Sequence, residues 1–253
     1  MFSGRELWDV TSPHVPTTDF LVVGGLAALI GSIVQGSVGL GVGLVATPIV
    51  TMLYPHLMPG AILVAATVLP LATLTREVRH ADLGGLGWAF GGRLIGTPLG
   101  VWVVAAVPTR VLGVLVGGMV LAALGAGLWS GRVPRNPGTL TTAGLVAGAT
   151  GTASAIGGPP LALLYQHESG PKVRATLAVF FTIGAALSLT TLAAAGRLPG
   201  EQVTAGLALT PFVLTGFLVA GPVRRYVDDG RMRKAILIVV GASAVTLIVR
   251  SLI

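Results

Sequence analysis

The chain has little charge and no cysteine, and both shortages narrow what it can be. Of its 253 residues, 10% are charged and 53% are hydrophobic, whereas a soluble domain carries about 25% charged residues. The lack of cysteine excludes disulfides, thiol chemistry and cysteine–metal sites. Apolar runs recur from Phe20 to Ile253, and they predict an all-α integral membrane protein with many spans.

Histidine and acidic residues are missing from the centres of the apolar runs. His14, His56, His80 and His167 all fall in loops or at the ends of runs. Metal sites and serine hydrolases need such groups within reach, so we expect no metal, no cofactor and no enzymatic activity. Proton relays use the same groups. Energy coupling therefore stays open between none, a cation held by backbone carbonyls, and a substrate that carries its own proton.

Basic residues lie in the short loops between the apolar runs, and the net charge is +7. In a soluble protein this charge would suggest a nucleic-acid partner, but in a membrane protein loop Lys and Arg set the orientation. We therefore expect the lipid bilayer as a partner, and no nucleic acid. A homodimer stays open.

Two glycine-rich breaks interrupt the apolar runs at corresponding places in the two halves of the chain. The first extends from Gly31 to Gly43 and leads to Pro48, and the second extends from Gly148 to Pro160. Broken helices at corresponding positions of two halves are typical of a transporter whose binding site lies between them.

The length of the first broken run predicts a hairpin that returns to the side on which it starts. As one helix, residues 18–54 would extend roughly 55 Å at about 1.5 Å per residue, whereas a bilayer core is about 30 Å thick. If residues 18–54 and 139–167 both return, eleven of the sixteen Lys and Arg collect on one face. The positive-inside rule makes that face cytoplasmic and places both termini outside the inner membrane.

Each half then makes an odd number of crossings, so the second half is inverted relative to the first. We predict two inverted-topology repeats, each a broken, re-entrant helical hairpin followed by three transmembrane helices. An extracytoplasmic tail covers residues 1–17. The first repeat (18–130) has hairpin 18–54 and spans 60–75, 84–106 and 110–129, and the second (139–253) has hairpin 139–167 and spans 172–195, 202–222 and 233–251.

The two breaks resemble the TauE/SafE family of anion exporters, whose mark is a G-x-G-G-G run leading to a proline in each repeat. The first repeat has Gly-Leu-Gly-Val-Gly at 39–43, followed by Pro48. The second has Ile-Gly-Gly-Pro-Pro at 156–160, with Ala155 at the place of the first glycine. The stretch 171–181 is also similar to that family's second repeat. The resemblance implies export of sulfite, sulfonates or other sulfur-containing organic anions.

The irregular backbone at the two breaks is the predicted binding site. Such backbone is tolerated at mid-membrane depth only in a cavity or against protein, and the helix after each break begins with unpaired N–H groups that attract anions. Alternatively, the glycines only allow close helix packing, and the hydroxyls only bond nearby carbonyls. The predicted substrate-binding residues are Gln35, Ser37, Gly39, Gly41, Gly43, Arg93, Thr152, Ser154, Gly157 and Gly158.

Arg93 is the one charged residue well inside a predicted span, and no acidic residue lies mid-span. An unpaired arginine inside a membrane is costly, so a bound anion would neutralise it. Alternatively, its side chain reaches back to the interface.

The combined prediction is a transporter that moves small anions, sulfite or organosulfonates foremost, across the inner membrane by alternating access at a midplane site. An anion channel with the same hairpin pore, or a transporter of another small organic acid, stays open. A set of basic residues near the cytoplasmic face either attracts anions or only sets topology: Arg76, Arg79, His80, Lys172 and Arg174.

Overall fold

The computed structural model describes residues 17–128, 131, 133–227 and 231–252, and within this part every regular element is a helix. The predicted tail, apart from Thr17, and the loop residue Arg132 lie outside the described residues. The α-helices are α1 (Thr18–Val38), α2 (Val42–Leu53), α3 (Gly60–Glu77), α4 (Leu83–Ala106), α5 (Thr109–Leu128), α6 (Pro137–Ser154), α7 (Pro159–Tyr165), α8 (Gly170–Ala194), α9 (Gly200–Val227) and α10 (Arg231–Leu252).

Several of these helices are long and apolar enough to cross a bilayer. Five candidate spans lie within the described residues: Thr18–Ser37, Gly60–His80, Leu83–Ala106, Gly170–Ala194 and Gly200–Gly221. Shorter apolar helical stretches cover Val42–Leu53, Arg110–Gly125 and Val240–Leu252. The prediction of an all-helical, multi-pass membrane protein is confirmed.

Large apolar side chains point outward from the long helices. Trp102 is 64% exposed, Leu218 71% and Leu207 60%. Water would penalise such a surface, whereas lipid tails do not. The outer surface therefore suits a hydrocarbon environment.

Side-chain caps fix where several helices begin. Asn136 and Thr139 form a reciprocal capping box at the start of α6, and the Asp82 carboxylate accepts a hydrogen bond from the Gly85 N–H at the start of α4. Each cap satisfies an N–H group that the first helical turn would leave unpaired.

Glycines bring α4 and α6 into close contact. A Cβ on Gly92 would overlap the carbonyl oxygen of Thr141, and one on Gly96 would overlap that of Leu145. On the facing helix, a Cβ on Gly144 would overlap the carbonyl oxygen of Ala89. These glycines therefore serve close packing, the typical role of small residues between membrane helices.

The helices pack in reciprocal pairs. Helix α4 packs on α6, and α9 packs on α1; α2 contacts α10, and α7 contacts α5. Helix α3 packs on α8, and α5 on α10. If α1–α5 are matched in order with α6–α10, the α4–α6 contact corresponds to the α9–α1 contact, and the α2–α10 contact corresponds to the α7–α5 contact. The α3–α8 and α5–α10 contacts each correspond to themselves.

Candidate functional site

Both breaks follow a similar backbone path. Helix α1 ends at Gly39, which has a φ of 96°, and α6 ends at Ala155, which has a φ of 59°. The Gly39 N–H donates to the Gln35 carbonyl at 2.7 Å, and the Ala155 N–H donates to the Gly151 carbonyl at 2.9 Å. Left-handed backbone favours glycine, so Ala155 holds a glycine-type conformation where the resembling motif has glycine.

The two breaks touch each other. A Cβ on Gly43 would overlap the carbonyl oxygen of Ala155. The Thr47 hydroxyl donates to the Ser154 carbonyl at 3.0 Å, and both residues are fully buried. Direct contact between backbones from the two halves requires glycine at position 43.

A cavity of about 60 Å³ lies where the breaks meet, which is room for a few water-sized groups. Its wall combines both breaks with three other helices. The lining residues are Gln35, Leu40, Gly41, Gly43 and Leu44 around the first break, Gly151 and residues 155–159 around the second, and Leu63, Ala66, Arg93, Phe181 and Ala185 from α3, α4 and α8.

The predicted site residues divide into two groups. Six line the cavity: Gln35, Gly41, Gly43, Arg93, Gly157 and Gly158. The other four, Ser37, Gly39, Thr152 and Ser154, do not line it.

The four other residues have local structural partners. The Ser37 hydroxyl donates to the Ile33 carbonyl at 3.0 Å, and the Ser154 hydroxyl donates to the Thr150 carbonyl at 2.7 Å. Both follow the i−4 pattern by which hydroxyls satisfy their own helix. The Thr152 hydroxyl lies 2.8 Å from that of Ser188, and Gly39 lies beside the aliphatic stem of Arg174.

The Gln35 side chain connects α1 to the start of α2. Its Oε1 accepts a hydrogen bond from the Val42 N–H at 3.0 Å, so it satisfies one donor of the first turn of α2. Its Nε2 donates to no acceptor among the described residues. Because Gln35 lines the cavity, this amide is available to a bound group.

Backbone N–H groups at the cavity also lack acceptors. Gly43 and Leu44 belong to the first turn of α2, and their N–H groups have no partner among the described residues. The same holds for Gly157 and Gly158 at the second break. At α7, Pro159 and Pro160 have no N–H, so the second helix start offers fewer donors than the first.

Arg93 is the charged group of the cavity. It is 3% exposed, and its Nε and Nη1 have no hydrogen-bond partner among the described residues. Its Nη2 lies 3.5 Å from the Ser188 hydroxyl, and its Cζ lies 4.6 Å from the ring centroid of Phe180. No described carboxylate lies within 4.0 Å of it. The side chain is thus buried against α8.

Helix α8 contributes to the site in a way that sequence reasoning missed. Phe181 and Ala185 line the cavity, while Phe180 and Ser188 contact the Arg93 guanidinium. A Cβ on Gly184 would overlap that guanidinium. The only signal in the sequence is that these residues recur every three or four positions, which places them on one helix face.

Charged residues gather at one end of the molecule. Arg174 forms a bidentate ion pair with Glu77, and Arg135 pairs with Glu168 and lies 3.9 Å from Asp82. The pKa of Asp82 lies below its ordinary value, mainly because its carboxylate accepts a hydrogen bond from the Gly85 N–H. The Tyr165 hydroxyl and the charge of Arg135 lower this pKa by smaller amounts. Hydrogen bonds from Arg135 and Lys172 lower the pKa of Glu168.

This arrangement bears on the basic residues that were predicted to attract anions or set topology. Arg174 and Lys172 are both paired with carboxylates. The guanidinium of Arg76 lies 5.6 Å from the Phe217 ring. Arg174 and Lys172 are therefore occupied in structural contacts.

The uncharged side chain of Gln202 binds the loop between α2 and α3, where the His56 Nε2 also lies 3.5 Å from the Glu201 Oε1. The Gln202 side chain accepts from the Gly60 N–H at 3.0 Å and donates to the carbonyls of His56 and Met58, each at 2.9 Å. Gln202 is 5% exposed. One amide therefore ties this loop to the start of α9.

Broken helices that meet at a small cavity inside a bundle of membrane-length helices are typical of membrane transporters. Over residues 24–247 the chain matches the family described as Sulfite exporter TauE/SafE, and it belongs to that family. Members of this family are transporters rather than enzymes. No curated protein and no solved structure matches the chain.

Proposed function

We propose that this chain carries small anions, sulfite or organosulfonates foremost, across the inner membrane through the cavity between the two breaks. The observation that carries the proposal is Arg93, a buried guanidinium with two unpaired nitrogens at the cavity wall. A buried cation without a protein counter-charge is costly, and a bound anion compensates it. The Gln35 amide and the N–H groups of Gly43 and Gly157 add hydrogen-bond donors.

The proposed orientation places the charged end of the molecule in the cytoplasm. Three predicted cytoplasmic loops meet there, because Arg135 contacts Asp82 and Glu168, and Arg174 contacts Glu77. These contacts support the hairpin topology, since single crossings by both broken runs would place loop 75–82 and loop 168–174 on opposite faces. The contacts of Gln202 with loop 55–59 agree with a second, extracytoplasmic end.

The proposed mechanism is alternating access between two inverted halves. Reciprocal packing of α1–α5 and α6–α10 supports a two-fold relation between the halves. Rocking of one half against the other would expose the cavity to each side in turn while the site itself stays assembled. The re-entrant course of both hairpins belongs to this proposal.

Transport and counterflow in proteoliposomes test this function. Liposomes with purified protein are given labelled sulfite, taurine, sulfoacetate or sulfate, with and without a pH or Na⁺ gradient. We expect saturable uptake of at least one sulfur oxyanion, together with exchange of labelled against unlabelled substrate. Uptake without exchange would indicate a channel, and no uptake of any anion would overturn the proposal.

A further inference from the structure

We infer that the site selects singly charged anions, so that sulfite crosses as hydrogensulfite and dianions are rejected. The inference rests on the proposed function and specifies its substrate class by charge. It depends on the charges around the cavity, the nature of the remaining wall and the geometry of the free donors.

Among the described residues, one charged side chain lines the cavity. It is Arg93, and the other lining residues are apolar or glycine apart from Gln35. One bound negative charge would neutralise Arg93, and a second would stay uncompensated.

The helices that pack on α4 supply no further charge to the cavity. Helix α6 contains no titratable side chain. On α8, Lys172 pairs with Glu168 and Arg174 with Glu77. Asp82, which caps the start of α4, accepts a hydrogen bond from Tyr165 of α7. None of these groups lines the cavity, so a dianion finds no second cation, and Arg93 finds no competing carboxylate.

Much of the remaining wall is apolar. Leu40, Leu44, Leu63, Ile156 and Phe181 contribute hydrocarbon surface. Such surface provides neither charge nor hydrogen bonds, and an uncompensated charge next to it has lost its hydration without replacement. The wall therefore penalises the second charge of a dianion.

The free donors suit the oxygens of a monoanion. Arg93 offers Nε and Nη1, and Gln35 offers Nε2. The N–H groups of Gly43 and Gly157 also lack acceptors among the described residues. The neutral donors of Gln35, Gly43 and Gly157 can donate hydrogen bonds to the oxygens of an oxyanion, but they do not neutralise a second full charge.

The wild-type protein tests this inference through the titration of the substrate. Hydrogensulfite loses its proton close to neutral pH, whereas methanesulfonate stays a monoanion throughout. Proteoliposomes at equal internal and external pH are assayed for uptake of labelled sulfite at about pH 6 and about pH 8, with methanesulfonate and sulfate as competitors. Above the substrate's own pKa we expect sulfite uptake to approach a loss of about tenfold per pH unit. Methanesulfonate should compete equally well at both pH values, and sulfate should not compete.

A variant with a second cation gives an independent readout. Ala185 lines the cavity. Ala185→Lys should allow sulfate to compete with sulfite, and the uncharged control of similar length at the same position, Ala185→Gln, should keep the wild-type preference.

Three results would overturn the inference. The first is equal sulfite uptake at both pH values, and the second is competition by sulfate that matches methanesulfonate in the wild type. The third is a loss of sulfite uptake at high pH that is accompanied by an equal weakening of competition by methanesulfonate. Such a parallel loss would indicate titration of the protein. If sulfite is carried, any of these results leaves the proposed function standing; absence of all anion transport removes both.

Discussion

The two broken helices share a backbone path but offer different chemistry. At the first break, Gln35 caps Val42 and α2 runs for 12 residues, so a full helix start faces the cavity. At the second break, α7 has 7 residues and starts with two prolines, which removes N–H donors. The positive charge at the second break belongs to another helix, because Arg93 of α4 lies beside Gly151. One break therefore supplies dipoles and amides, and the other makes room for a guanidinium.

Replacing Arg93 should have the largest effect on transport. Arg93→Gln removes charge-assisted hydrogen bonds worth about 1.5–3 kcal/mol, so we expect a loss of sulfite uptake of roughly 10- to 100-fold. Its thermal unfolding temperature should stay level or rise, because an uncompensated buried charge is removed. Arg93→Lys is the matched control and should retain more uptake than Arg93→Gln. Wild-type uptake by Arg93→Gln would refute a role at the site.

Glycine substitutions should separate the contact between the breaks from the lining of the second break. Gly43→Ala places a methyl group against the backbone of Ala155, and we expect a stability loss of about 1–3 kcal/mol with loss of uptake. Gly158→Ala meets the tip of the Phe181 ring at 2.9 Å. A side chain moves more easily than backbone, so this variant should lose less stability.

The control for both is Gly118→Ala, where a Cβ would meet nothing within 4 Å. Within a helix this change should stabilise by up to about 1 kcal/mol. Thermal unfolding and uptake measured side by side check all three variants. Equal stability losses for Gly43→Ala and Gly118→Ala would contradict the close contact.

Gln35→Glu should test the donor role of the first break. Glutamate keeps an oxygen that can accept from the Val42 N–H, but it loses the free Nε2 and places a negative charge near Arg93. We expect roughly tenfold weaker anion affinity with folding preserved, because like charge opposes the substrate. Half-saturation concentrations measured for uptake check this. Unchanged affinity would mean that Nε2 does not contact the anion.

The hydrogen-bonded groups around Asp82 and around Gln202, which contact the ends of the two broken helices, should differ in their response to acid. Asp82 has a lowered pKa in the folded state, so its stabilising contribution is complete above its unfolded-state value, about 3.9. That contribution is lost as the pH falls through the folded-state value. Gln202 does not titrate, so its contribution should not change with pH.

Thermal unfolding at about pH 7 and about pH 3.5 measures this smallest effect, which should stay below about 1 kcal/mol because the Asp82 side chain is partly exposed. Asp82→Asn should reduce the acid-induced loss of stability, and Gln202→Leu should cost the same at both pH values. A pH-dependent cost of Gln202→Leu would contradict the distinction between the surroundings of Asp82 and those of Gln202.

The places where the helices break could be predicted from the sequence, whereas their contacts could not. Clustered glycines at 39–43 and 157–158 mark positions where helical backbone is weakest. Whether a hydroxyl faces the cavity or bonds to its own helix depends on its rotamer. The hydroxyls of Ser37 and Ser154 both donate to carbonyls of their own helices. Long-range partners such as Ser188 depend on tertiary packing, which hydrophobic periodicity does not encode when a helix is apolar on all sides.

Arg93 illustrates both outcomes. Its depth could be counted along the predicted span, because each helical residue adds about 1.5 Å. The choice between reaching the interface and facing a cavity could not be made, since it depends on space left beside Gly184 of α8. In the structure the Arg93 side chain is 3% exposed and lines the cavity.

Ligand-dependent thermal unfolding of the purified protein shows directly whether an anion binds at Arg93. Wild type and Arg93→Gln are heated in detergent with and without the monoanion methanesulfonate. In detergent the measurement reports binding alone, without a transport step. Binding to the folded state stabilises it, by about 2.7 kcal/mol when the ligand concentration is 100 times Kd. We expect a higher unfolding temperature with methanesulfonate for the wild type and no change for Arg93→Gln. An equal rise in both proteins would contradict an anion site at Arg93.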